Sequence, residues 1–124
     1  MAEDIMLRFN FKLISKDNEK IQNKQGKYFL SKKYKDFEKL IRDCAYIQLR
    51  NKKMEPFEKD AHLKMKIFVY YKTKVHPDLW NIPKSLADAL QGVVYENDRQ
   101  IHHGEISITE GWEWDSFNVY IGQI

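Results

Sequence analysis

The chain has 124 residues, 43% hydrophobic and 14% aromatic, enough for one domain over 1–124 with one modest core and too little for a second cored unit or for expecting disorder. Cys44 is the only cysteine, which excludes an internal disulfide and any cysteine-rich zinc cluster; no apolar run approaches a signal peptide or membrane span, so a cytoplasmic protein with no membrane partner is expected. Charge is polarised: residues 1–74 carry 19 Lys/Arg and 10 Asp/Glu, whereas residues 75–124 carry 2 and 8.

Ile5, Leu7, Phe9, Phe11 and Leu13 alternate with Met6, Arg8, Asn10 and Lys12, the period of a strand with one buried face. The polar segment from Lys16 to Lys27, with Gly26 near its end, reads as a mobile basic loop. After Ser31, a candidate N-cap, Tyr34, Phe37, Leu40, Ile41 and Cys44 recur at helical spacing while Lys32, Lys33, Lys35, Lys39 and Arg42 fall largely elsewhere. That pattern predicts an amphipathic helix with a basic outer face and Cys44 in the core.

Asn51 to Asp60, with Pro56, interrupts the pattern before Met65, Ile67, Val69 and Tyr71 mark a second strand. Ile82, Leu86 and Leu90 share one face of a predicted helix over 81–90, in which Pro83 is tolerated in the first turn and which Gly92 ends. Ile101 to Thr109 and Phe117 to Ile121 are two further alternating runs, and their connection, with Trp112 and Trp114, is expected to close a hairpin. The order β-α-β-α-β-β points to a compact α+β domain. The two tryptophans suit a subunit contact or a local aromatic cluster.

The chemistry-bearing residues concentrate between His76 and Gln100. His76, Pro77 and Asp78 close the second strand, Asn81 and Lys84 open the next helix, and Glu96, Asn97 and Asp98 precede the following strand. Element ends can hold carboxylates close together for a divalent cation, and a nearby lysine can stabilise a phosphate or a leaving oxygen. The plainer alternative is that Asp78 caps the helix and Asp98 occupies a turn.

The run His76-Pro77-Asp78-Leu79-Trp80-Asn81-Ile82-Pro83-Lys84, followed by Asp88-Ala89-Leu90, Gly92, Tyr95 and Asp98-Arg99-Gln100-Ile101, resembles the RusA family of Holliday-junction resolvases. The resemblance implies a homodimeric endonuclease that cuts branched DNA with magnesium, manganese being the alternative. It assigns metal binding to Asp78 and Asp98 and a catalytic role to Lys84, and treats Asn81 and Asp88 as structural. Trp80 stands where the family pattern has a second aspartate, so Glu96 or His76 is the expected replacement donor. A protein that binds branched DNA without cutting it is the alternative function. For Trp80 itself, core packing is the expectation and stacking on an unpaired base the alternative.

A basic half suits DNA phosphates, and Lys20, Lys24, Lys27, Lys32, Lys33 and Lys74 are the expected contacts. His102 and His103 would face opposite sides of a strand, so at most one could turn toward the site.

Overall fold

The N-terminal alternation produces β1 (Ile5–Phe9), with Ile5, Leu7 and Phe9 buried. Strand pairing ends at Phe9, short of the expected Leu13, although Leu13 remains buried. The structure, a computed structural model, describes residues 3–15, 20–22 and 24–124. Within the segment read as a basic loop, β2 (Lys20–Gln22) pairs antiparallel with β3 (Tyr28–Leu30), and Gly26 supplies a positive φ of 81° in the turn. Part of that segment is therefore a short hairpin, built by local pairing across a glycine turn. Residues 16–19 and 23 lie outside the described residues.

Ser31 caps α1 (Lys32–Asn51) as expected, its hydroxyl accepting a hydrogen bond from the Tyr34 amide at 3.1 Å. Tyr34, Phe37, Ile41, Ala45 and Leu49 form the buried stripe. Leu40 is exposed, and Cys44 packs only partly buried against the core. The buried stripe advances by three or four residues, and these two, four apart, lie together on one flank of it.

On the next turn of α1, the Gln48 side chain brackets one residue of β1. Its Oε1 accepts from the Arg8 amide at 2.9 Å and its Nε2 donates to the Arg8 carbonyl at 2.7 Å. Lys52 Nζ donates to the Met6 carbonyl. The helix thus satisfies the outer backbone groups of an edge strand, which would otherwise invite pairing with another chain.

β4 (Leu63–Tyr71) is central, with Leu63, Met65, Ile67, Val69 and Tyr71 all buried. It leads through α2 (Asn81–Leu90) and a short 3₁₀ turn (Asp98–Gln100) into β5 (Ile101–Glu110), which pairs parallel with β4. Parallel neighbours require such a crossover, and α2 provides it. β6 (Ser116–Gln123) then pairs antiparallel with both β4 and β1, giving the sheet order β1-β6-β4-β5.

This arrangement corrects the expected hairpin, because β4 lies between β5 and β6. The connection instead passes over the carboxyl end of β4. Gly111 turns it with a φ of 74°, the Trp112 amide donates to the Tyr71 carbonyl at 3.0 Å, and the Lys72 amide donates to Asp115 Oδ1 at 2.8 Å. Alternation alone specifies strands and their faces, not which strand lies beside which.

The result is an α+β domain whose core contains the inner sheet residues, the α1 stripe, and Ile82, Leu86, Ala89 and Leu90 of α2. No helix among the described residues is long and apolar enough to cross a membrane.

Candidate active site

The β4–α2–β5 crossover builds the site. Leaving β4, the chain turns so that the Asp78 carbonyl accepts from the Asn81 amide at 3.0 Å and the Leu79 carbonyl accepts from the Ile82 amide at 3.4 Å. With Pro83 next, which has no amide hydrogen, the first turn of α2 retains little donor capacity for an anion. The cationic group at this end of the helix is the side chain of Lys84, which is exposed.

At the far end of the crossover, a set of hydrogen bonds fixes Asp98. Gln91 Oε1 accepts from the Asp98 amide at 2.7 Å, and Gly92, with a φ of 81°, turns the chain after α2. The buried Gln100 side chain holds the same turn from beneath. Its Oε1 accepts from the Glu96 and Asn97 amides, each at 3.1 Å, while its Nε2 donates to the Glu58 and Ala61 carbonyls at 2.8 and 3.1 Å. A carboxamide can donate and accept together, so one residue satisfies two stretches of loop backbone.

Lys84 and Asp98, two of the residues expected to be catalytic, line one cavity of about 420 Å³ between α2 and the β4–β5 sheet. Trp80 and Ala87 line the same cavity, with Met65 and Ile67 in its apolar wall. Trp80 corrects the core-packing expectation, being 82% exposed. It sits at the N-cap position of α2, ahead of the stripe formed by Ile82, Leu86 and Leu90, so the helix turns its ring outward.

The Asp98 carboxyl is in hydrogen-bonding contact with the carboxyl of Asp88. Burial and then the facing Asp88 raise its pKa above the ordinary carboxylate value, against a smaller opposing effect of Arg99. The motif resemblance treats Asp88 as structural and gives no hint of this contact. The signal in the sequence is its spacing of four residues from Lys84, which places both on one helix face.

Two carboxyl groups facing one another favour a shared cation between them, and their oxygens suit magnesium, which commonly takes one or two carboxylates and completes its shell with waters and substrate phosphate. The donor chemistry therefore fits a hard divalent ion. Among the described residues, no three His, Cys, Asp or Glu side chains gather closely enough to form an all-protein site.

The remaining candidates are dispersed around this centre. Asp78 is exposed before α2 and does not line the cavity, and Glu96 is exposed in the turn before Asp98. His76 stacks on Tyr71, with ring centroids 4.4 Å apart and planes 6° from parallel. Its Nε2 lies 2.6 Å from Glu110 Oε2 and its Nδ1 lies 2.8 Å from the Pro77 carbonyl oxygen. Burial lowers the His76 pKa, but the Pro77 and Glu110 hydrogen bonds outweigh it and the net shift is upward. Both ring nitrogens are thus engaged by protein oxygens, which leaves neither free for a metal.

His102 stacks on His62 and His103 lies 3.7 Å from Glu105, and neither lines the cavity. Trp112 packs against Tyr70 at 4.9 Å, as a local aromatic cluster would, while Trp114 is exposed. Lys24, Lys27, Lys32, Lys33 and Lys74 are all exposed.

Comparison with protein families matches residues 10–118 to Endodeoxyribonuclease RusA, nearly the whole chain. The chain belongs to the RusA endodeoxyribonuclease family. The match takes in β4, α2, the Asp98 turn and β5, so the crossover holding Lys84 and Asp98 lies within it. No curated protein sequence matches the chain. Membership in the RusA family implies an endonuclease that resolves Holliday junctions, and RusA-type nucleases generally depend on a divalent metal.

Proposed function

We propose that this RusA-family protein is a structure-selective, magnesium-dependent endonuclease that acts as a homodimer on Holliday junctions or related branched DNA in recombination and repair. The observation that carries the reading is the convergence of Lys84 and Asp98 on one cavity, with the Asp88 carboxyl against Asp98, inside a RusA-matched crossover.

Asp78, Lys84 and Asp98 are the proposed catalytic residues. Asp98 would hold the metal with Asp88 adjoining it, the family motif adds Asp78 as a further ligand, and Glu96 is the nearest other carboxylate along the chain; His76 is committed to Glu110 and Pro77. A divalent cation bound there supplies Lewis acidity toward the phosphate and activation of an attacking water. Manganese would serve as an alternative to magnesium because it accepts the same oxygen donors.

Lys84 directs its ammonium toward the scissile phosphate and offsets the charge developing on the displaced oxygen. The Asp98 backbone, held through Gln91 and supported by the Gln100 turn, positions this carboxylate at the cavity.

Lys20, Lys24, Lys27, Lys32, Lys33 and Lys74 are the proposed phosphate contacts. Lys32 and Lys33 occupy the first turn of α1, where no acidic residue stands. A helix N-terminus disfavours cations on its own account, so this placement suits a surface that meets an anion.

Cleavage of a synthetic four-way junction in magnesium, compared with linear duplex, tests the reading. Substitution Asp98→Asn should abolish cutting; unchanged cutting by that variant would remove the site assignment. A second reading, binding without cutting, draws on the exposed Trp80 at the position of a family aspartate. It predicts junctions that are bound and left intact, with cutting restored by Trp80→Asp.

A further inference from the structure

Trp80 is 82% exposed, yet it borders the cavity that contains the catalytic candidates Lys84 and Asp98. Its ring caps no backbone group of α2. An indole this exposed at the edge of a cavity offers a bare aromatic face, and the surroundings narrow the chemistry of what it can meet. The cavity wall is mostly apolar, from Met65, Ile67, Pro83 and Ile106, with Asp98 and Glu105 also lining it and Lys84 supplying its cation. The α2 amides at this end are already used by the Asp78 and Leu79 carbonyls, so an anion arriving here would meet Lys84.

A flat aromatic face, an apolar recess and one adjacent cation match a nucleobase with its phosphate. We propose that Trp80 is a specificity residue that stacks on an unpaired or unstacked base of branched DNA, seating it over this cavity while Lys84 meets the neighbouring phosphate. The inference rests on the nuclease reading above. In continuous duplex the bases are stacked on one another and present no free face, whereas branch points and flaps release them. Trp80 therefore adds affinity only where the helix is interrupted, which is a physical route to structure selectivity. A second copy of the chain seated on the same indole would cover Lys84 and Asp98, the residues that DNA must reach.

The test compares the whole chain with its Trp80→Ala and Trp80→Phe variants on a four-way junction and on a duplex of equal length, at one fixed salt concentration. Trp80→Ala should weaken junction binding roughly tenfold, in line with the loss of one base–aromatic stack, and leave duplex binding unchanged. Trp80→Phe, which keeps a stacking face, should restore most of the junction preference. In a Trp112→Phe, Trp114→Phe background, Trp80 is the sole tryptophan, and its fluorescence should be quenched by the junction and not by duplex.

Equal losses on both DNAs, no loss, or unaltered Trp80 fluorescence would overturn the inference. So would conversion of a dimer to a monomer by Trp80→Ala in sedimentation, which would assign the surface to a second copy. If the unaltered protein binds neither DNA, the nuclease reading falls as well. If it binds and cuts junctions while Trp80→Ala behaves identically, only the stacking role is removed.

Discussion

Among single residues, the site contains groups that act on substrate and groups that hold the first kind in place. Lys84 is proposed for the former. Replacing Lys84 by Ala should lower junction cleavage by about a hundred- to a thousandfold, the usual loss for one transition-state charge stabiliser, without weakening the fold; single-turnover cleavage and thermal melting together check this. Gln100 belongs to the latter, with four hydrogen bonds joining the Glu96–Asn97 turn to the loop carrying Glu58 and Ala61. Gln100→Ala leaves buried backbone groups without partners and should cost about 1–3 kcal/mol in urea unfolding. Burial and then the neighbouring Asp43 raise the Cys44 pKa. Less thiolate is present at neutral pH, so iodoacetamide should modify Cys44 more slowly than a free cysteine, with the rate rising at a pH above that of the free thiol.

Among the elements, the crossover through α2 determines which side chains meet. Lys84 and Asp88 are one helical turn apart, and Asp98 approaches that face only because β5 returns parallel to β4. Leu86 anchors the opposite face and is fully buried. Leu86→Ala should destabilise the protein by about 2–5 kcal/mol and reduce cleavage in proportion to the unfolded fraction, as parallel melting and activity measurements would reveal. Helix α1 secures β1 through Gln48 and Lys52 while presenting Lys32 and Lys33 at its start. If those two lysines meet phosphates, replacing both by Ala should flatten the dependence of log affinity on log salt by about one for each phosphate left unneutralised, measured by titration at several ionic strengths.

Across the whole molecule, the basic first part of the chain and the acidic last part fold into one sheet, with strands from each lying side by side. Lys66 of β4 faces Glu105 of β5 at 3.6 Å, so the basic and acidic parts of the chain meet across that strand pair. The nuclease motif is legible in the sequence because it is local: Asp78, Trp80, Lys84 and Asp88 lie within eleven consecutive residues, and Asp98 follows ten later. The Asp88–Asp98 contact is not, since it depends on how far α2 runs and how Gly92 and Gln91 turn the chain back.

The two helices, the buried faces of β1, β4 and β6 and the family are all written in the order of the residues, because periodicity, caps and motif spacing are properties of near neighbours. The order of the strands, the exposure of Trp80 and the commitment of His76 to Glu110 emerge only on folding. Each depends on groups distant along the chain: β4 inserts between β5 and β6, α2 rotates Trp80 away from the core, and the end of β5 brings Glu110 to His76. Alternating hydrophobicity encodes which side of a strand is buried but carries no information about the partner beside it.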